Sequence, residues 1–334
     1  MKMKLRNLFL AGLVAAGFSL VGCSNNEQPK EETQTPATEN TENVEMRTVT
    51  VDGIDYEVPA NPQRVIAYEG YVGSAIALDV PVVGTVFREG YDYSYLGDLT
   101  GVENVGAPIS VEKALELDPD LIVTYDDSNL EQLKQIAPVV YIPYGYAGSV
   151  QEEIRLLGDV FNKQEEAEAW IESFEAEAKS AREKLADVIP ADATFGLYET
   201  SGKILYVYGD NFGRGGQALY NALGFKAPQK IVDDIINGPQ WMEISLEVLP
   251  EYAADYMFVT QYMPESEQSI EDLVAENAVW STLDAYKNNQ IFMNDFNTFI
   301  HFDPMAVRYQ MNLIVNMLLD RAAENAAQIG RAHV

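Results

Sequence analysis

Cysteine and histidine are nearly missing from this chain: Cys23 stands alone, and His301 and His333 are the only imidazoles in 334 residues. A single thiol forms no internal disulfide, and so few soft ligands assemble neither a structural zinc site nor a Cys–His catalytic pair. Positive charge is scarce too. Lys and Arg number 22 against 52 Asp and Glu, a formal net charge of −30. The loss of Lys2, Lys4 and Arg6 with a leader takes three more, to about −33. Such a surface repels nucleic acid and anionic head groups, so neither is a partner of the folded part.

What the chain does have begins at its N-terminus. Lys2, Lys4 and Arg6 precede an apolar run over 8–21 that is too short to span a bilayer comfortably. The run ends in Leu20-Val21-Gly22-Cys23, which resembles the [LV]-x-[GA]-C box of bacterial lipoproteins. Residues 1–22 therefore read as a signal peptide, and Cys23 as the lipidated (palmitate-bearing) first residue of the mature chain. That places the protein on the extracellular face of a cell membrane, in the manner of Gram-positive bacteria. Residues 23–46, rich in Asn, Glu, Thr and Pro, read as a flexible acidic tether. At the other end, 328–334 resemble a translated sequencing adapter and are expected to be a non-native tail, which leaves His301 as the one usable histidine.

Folded sequence starts near Arg47. Asp52-Gly53 between the β-rich runs 48–51 and 54–58 is a hairpin signal. Strands are expected over 64–67, 80–86, 121–124 and 139–142, with helices at 73–78, 111–117 and 130–136 between them. Ser149-Val150-Gln151-Glu152 opens a helix to about residue 161 as a capping box. A longer helix, 164–188, carries Ala167, Ile171, Phe174, Ala178, Ala181, Leu185 and Val188 at helical spacing and spans roughly 35 Å. Pro190 stops it. A second series follows, with strands at 193–198, 204–208, 256–260 and 291–294 and helices at 216–223, 246–253, 269–275 and 305–319. The expected fold is α/β: two Rossmann-like lobes with mainly parallel sheets, 47–163 and 191–327, joined by the helix 164–190.

The lobes echo each other. Ile109-Ser110-Val111-Glu112 precedes Asp120 and a buried-type strand; Ile244-Ser245-Leu246-Glu247 precedes Asp255 and another, with the same spacing. Each reads as a Ser N-cap with an acidic first turn.

Six further motifs share one likeness. Asn61-Pro62-Gln63-Arg64-Val65-Ile66, Ala77-Leu78-Asp79-Val80-Pro81-Val82-Val83-Gly84, Asp118-Pro119-Asp120-Leu121-Ile122-Val123, Tyr206-Val207-Tyr208-Gly209, Leu223-Gly224-Phe225 and Trp280…Ala285-Tyr286-Lys287-Asn288-Asn289-Gln290-Ile291 run in order along nearly all the folded chain. Together they resemble the ferric-siderophore and vitamin B12 binding proteins of ABC importers. The resemblance implies two stiff lobes bridged by one helix (a class III binding-protein fold) and no catalysis. The partners it implies are an importer permease and its ATPase, and Glu112 and Glu247 would each dock an arginine of that permease.

In such folds ligands sit beyond the carboxyl ends of the strands. The loops expected there are aromatic, with Tyr71, Tyr125, Tyr144, Phe212, Trp241, Met242, Tyr262 and His301 as candidate ligand contacts. Arg88 and Arg214, one per lobe and each flanked by Phe and Gly, are the cations placed to grip ligand oxygens. Two arginines among aromatics suit a nearly neutral ferric hydroxamate better than an anionic catecholate or citrate complex. The segment Asn211-Phe212-Gly213-Arg214 is also similar to the arginine loop of Gram-positive hydroxamate binders. The siderophore holds the iron, so no protein metal ligand and no cofactor is expected, and the binder is expected to act as a monomer. A catecholate, haem or cobalamin is the alternative cargo. An extracellular hydrolase built on Glu69, Glu89 or Glu199, or a surface adhesin, is the alternative class.

Overall fold

The computed structural model describes residues 45–201, 204–262 and 269–332. The expected signal peptide, Cys23 and the tether as far as residue 44 lie outside them. Asp52 and Gly53 both take positive φ, 51° and 74°, the twist a tight two-residue hairpin needs. They join β1 (Met46–Val51) to β2 (Ile54–Pro59) in an antiparallel pair. The Arg47 guanidinium ties this hairpin to the end of the helix Val150–Phe161 by donating to the Val160 carbonyl at 2.7 Å.

The first large sheet is wholly parallel: β3 (Val65–Ala67), β4 (Val82–Thr85), β5 (Glu103–Asn104), β6 (Leu121–Thr124) and β7 (Val139–Tyr141) lie in the order β5-β4-β3-β6-β7. Every residue of β3 and β6 is buried, as strands covered on both faces must be. The chain builds outward from β3 on one side, then crosses to β6 on the other. The crevice at that reversal receives the loops after β3 and β6, which carry Tyr68-Glu69-Gly70-Tyr71 and Tyr125.

The second large sheet contains β8 (Phe195–Ser201), β9 (Ile204–Tyr208), β10 (Trp241–Ile244), β11 (Tyr256–Gln261) and β12 (Ile291–Asn294), ordered β10-β9-β8-β11-β12. Strand β9 alone is reversed: it is antiparallel to both of its neighbours, β8 and β10, while β11 pairs in parallel with β8 and with β12. Strand β10 is an addition to the expected set. Its four residues, Trp241, Met242, Glu243 and Ile244, form an edge in which only Ile244 is buried, a pattern that aromatic-loop reasoning hides. The Ser110 cap forms, its Oγ accepting from Lys113 N, but Ser245 caps nothing and Glu247 stands in a single 3-10 turn, Leu246–Val248.

Helix Gln164–Leu185 follows the first lobe, and its buried stripe is the expected one with Trp170 added and Val188 left exposed. It does not bridge the lobes alone. The C-terminal helix, Pro304–Ala332, lies against it: Arg308 reaches Glu177 at 3.2 Å and Ser173 Oγ at 3.0 Å, and caps the Trp170 ring at 4.7 Å. It runs on to Ala332, into the residues read as adapter-derived. Its start packs on the first lobe, where Asp303 accepts from Tyr95 at 2.7 Å and from the Met305 and Ala306 amides at 3.0 Å each. Asn211 and Gln217 of the second lobe donate to the carbonyls of Ala147 (3.4 Å) and Gly148 (3.2 Å) in the first. No helix among the described residues is long and apolar enough to cross a membrane.

Candidate functional site

Strand β8 is buried, yet its fifth residue is Glu199, only 3% exposed. A buried carboxylate needs a cation and hydrogen bonds. They come from the end of β9 and the loop after it: Arg214 pairs with Glu199 through Nε, and Tyr208 donates to Glu199 at 3.2 Å. The Arg214 guanidinium lies 4.7 Å from the Tyr208 ring centre and 5.1 Å from that of Phe296. Reaching this position takes three successive left-handed residues, Gly213 (φ 69°), Arg214 (57°) and Gly215 (87°). The middle one is costly for an arginine. The bend lets Arg214 N donate to the Phe299 carbonyl at 2.7 Å, and a Cβ at 213 would stand 3.0 Å from the Ile300 oxygen. That packing accounts for both glycines.

The first lobe offers a matching pair. Arg88 grips Glu69 with two bonds, 2.7 and 2.8 Å, and Tyr125 donates to the same carboxylate at 2.8 Å. This pair is more open: the arginine side chain is 43% exposed and the glutamate 15%. Sequence reasoning picked both arginines and passed over the role of both glutamates. Glu69 sits two residues after β3, at the sheet's reversal, and that placement was the available signal.

Between the pairs runs an unbroken series of rings. Tyr125 meets Tyr144 at 5.4 Å, Tyr144 meets Phe212 at 5.9 Å across the lobes, and Phe212 meets Trp241 at 6.2 Å. Tyr262 and Phe296 (4.7 Å), with Tyr91 (6.0 Å from Phe296), make a second patch. Trp241, Tyr262 and Tyr144 are the most exposed large side chains here, at 42%, 49% and 45%. Rings this open, gathered on two facing lobes, form a contiguous exposed aromatic surface.

The remaining candidates fall deeper. Tyr71 is buried and donates to the Ile142 carbonyl at 3.0 Å, so it backs the wall. Met242 is half-buried on β10. His301 is buried among Tyr91, Tyr93 and Tyr95, and burial pulls its imidazole down to about 4, so it is neutral near pH 7. Tyr91, Tyr93 and Phe296 had not been singled out. Glu112 and Glu247 are exposed and stand in separate lobes. Of the carboxylates named for a hydrolase, Glu69, Glu89 and Glu199, the first and last are each engaged by an arginine. Among the described residues no group of three or more His, Cys, Asp or Glu could hold a metal ion.

Two α/β lobes, a bridging helix and an open aromatic cleft between paired charges define a substrate-binding protein. The chain belongs to the periplasmic binding protein family, whose pattern it matches over residues 65–298. It is 40% identical over 322 residues to the iron(3+)-hydroxamate-binding protein YxeB of Bacillus subtilis, covering 96% of this chain and 99% of that one. It is 31% identical to the iron(3+)-hydroxamate-binding protein FhuD of the same organism, over 94% and 98% of the two chains. Among solved structures it resembles a FhuD fold-family component of a Fep/Fec-like ferrichrome ABC transporter from B. subtilis (TM-score 0.72, 31% identity, 81% of this chain and 99% of that one). It also resembles Staphylococcus aureus FhuD2 with bound ferrioxamine B (TM-score 0.68, 27% identity, 78% and 100%). The fold is the class III binding-protein fold, and the protein is the substrate-binding component of an ABC importer rather than an enzyme.

Proposed function

We propose that the cleft captures a ferric hydroxamate siderophore and delivers it to an ABC permease and its ATPase for iron uptake. The observation that carries the hydroxamate reading is charge balance at the cleft. Each arginine near the rings is matched by a glutamate, Arg88 by Glu69 and Arg214 by Glu199. A nearly neutral aromatic cleft suits a nearly neutral ligand, whereas an anionic catecholate or citrate complex calls for unmatched cations. The hydroxamate binders among the relatives support the same choice. Tyr125, Tyr144, Phe212, Trp241 and Tyr262 would pack on the ligand, and the two arginines would reach its oxygens. Iron is cargo here, held by the siderophore.

Titrating a form that starts at Ser24 with ferric hydroxamates, a ferric catecholate, ferric citrate, haem and cobalamin tests this. Ferric hydroxamates are expected to quench Trp241 fluorescence saturably with Kd below about 1 µM, and the others not. Binding of catecholate or cobalamin alone would discard the charge-balance argument and keep the importer role.

Leu20-Val21-Gly22-Cys23 supports anchoring through a lipid on Cys23, on the extracellular face. Glu112 and Glu247 are exposed near the starts of short helical turns, one in each lobe, as a pair of docking carboxylates must be. Carboxylates so placed orient a partner more than they tighten it. Changing both to alanine is therefore expected to lower siderophore uptake by about tenfold while the affinity for free siderophore stays put. Undiminished uptake in the double variant would rule out this pair as the docking points.

A further inference from the structure

The acids around the cleft are not alike. Glu69 and Glu199 are matched by arginines, and Asp303 is engaged by Tyr95 and by the start of the C-terminal helix. Glu153, early in the helix Val150–Phe161, has neither kind of partner. Among the described residues its carboxyl group has one hydrogen bond, accepted from Ser74 Oγ at 2.6 Å to Oε1. The residue is 8% exposed, and it lines a notch between the lobes whose other walls include Tyr71, Tyr144, Tyr146, Phe302 and Asn211. Among the described residues no lysine or arginine lines that notch. Tyr144 belongs both to the notch and to the row of rings across the cleft, and it touches Phe302 edge to face at 5.1 Å. The notch thus opens beside the ligand-facing rings.

A carboxyl kept from water without a cation resists ionisation. Burial pushes Glu153 up to about 8, the Ser74 bond opposes this, and the charge of Asp303 adds to it. What the notch lacks is a positive charge, and ring faces with a carboxylate behind them are the usual surroundings of an ammonium group. We propose that the notch is a subsite for a primary-ammonium arm of the siderophore, with Glu153 as its counter-ion and Tyr71, Tyr144 and Phe302 around its alkyl stem. Glu153 then sets a preference among hydroxamates, while the aromatic cleft holds their common ferric core. The inference rests on the hydroxamate reading above.

The test uses the full chain and two probes: a linear ferric trihydroxamate ending in a primary amine, and the same compound N-acetylated. The wild type is expected to bind the amine about tenfold more tightly than the acetylated form. Glu153→Gln, which keeps the size of the side chain and a partner for Ser74, is expected to abolish that preference without changing affinity for the acetylated probe. Equal binding of both probes by the wild type overturns the subsite, and it does so even where the variant does not fold. A variant that loses both probes alike overturns it as well. Failure of both probes to bind the wild type overturns the hydroxamate reading and the subsite with it, whereas binding of both at equal strength leaves that reading standing.

Discussion

Gly73→Ala is expected to cost about 3–5 kcal/mol of stability and to lower the melting temperature by roughly 10 °C. Gly73 lies on the helix Val72–Ala77 of the first lobe, facing the start of the C-terminal helix. A methyl group built there would stand 1.8 Å from Asp303 Oδ1 and 2.4 Å from its Cγ. A flexible side chain would swing away; this one is held. Asp303 is 1% exposed, and its two oxygens accept from Tyr95, Met305 N and Ala306 N. Moving it frees a buried hydroxyl and uncaps a helix, losses of about 1–2 kcal/mol each, before the backbone shifts at all. Helix propensity argues the other way, since alanine is favoured over glycine by about 1 kcal/mol, so a measured loss isolates the clash. Urea unfolding of Gly73→Ala, Asp303→Ala and the double variant gives the reading. The double variant should be no less stable than Asp303→Ala alone, because the clash needs both partners. A Gly73→Ala change within about 0.5 kcal/mol of wild type would mean that the lobes slide freely at this seam.

That seam also shows where sequence reasoning stops. Periodicity found the helix Gln164–Leu185 and most strands, because a buried stripe or a fully covered strand repeats at a fixed local spacing. The Asp52-Gly53 turn was legible for the same reason, its geometry being set by two adjacent residues. Gly73 facing Asp303 is a contact across 230 positions of chain, and nothing local marks either residue. The edge strand Trp241–Ile244 escaped because four residues that begin with an exposed tryptophan look like a binding loop. The site was half legible. Aromatic and arginine loops could be gathered from composition, but which arginine meets which glutamate is decided by the order of strands. Glu69 sits beside Tyr125 only because β6 returns to the side of β3 opposite β4.

The pair buried deepest carries the second large effect. Arg214→Ala is expected to destabilise the fold by about 3–5 kcal/mol and to weaken ferric hydroxamate binding by about a hundredfold or more. The side chains of Arg214 and Glu199 are 10% and 5% exposed, so solvent screens their attraction little. Removing the arginine leaves Glu199 on β8 with only the Tyr208 hydroxyl for company. Those two losses must be separated, because a site that has come apart also fails to bind. Arg214→Gly serves as one control, since glycine accepts the φ of 57° and removes the side chain without adding backbone strain. The sharper one is Glu199→Leu with Arg214→Met, where an apolar pair replaces an ionic one of similar bulk. Buried ion pairs exchanged in this way often lose no stability, because the desolvation of both charges is avoided. The double variant is therefore expected to unfold near the wild-type urea midpoint and still to bind hydroxamates about a hundredfold more weakly. Wild-type affinity in that folded double variant would make the Arg214–Glu199 pair a purely structural tie. The hold on the ligand's oxygens would then pass to Arg88, whose side chain is the more open of the two.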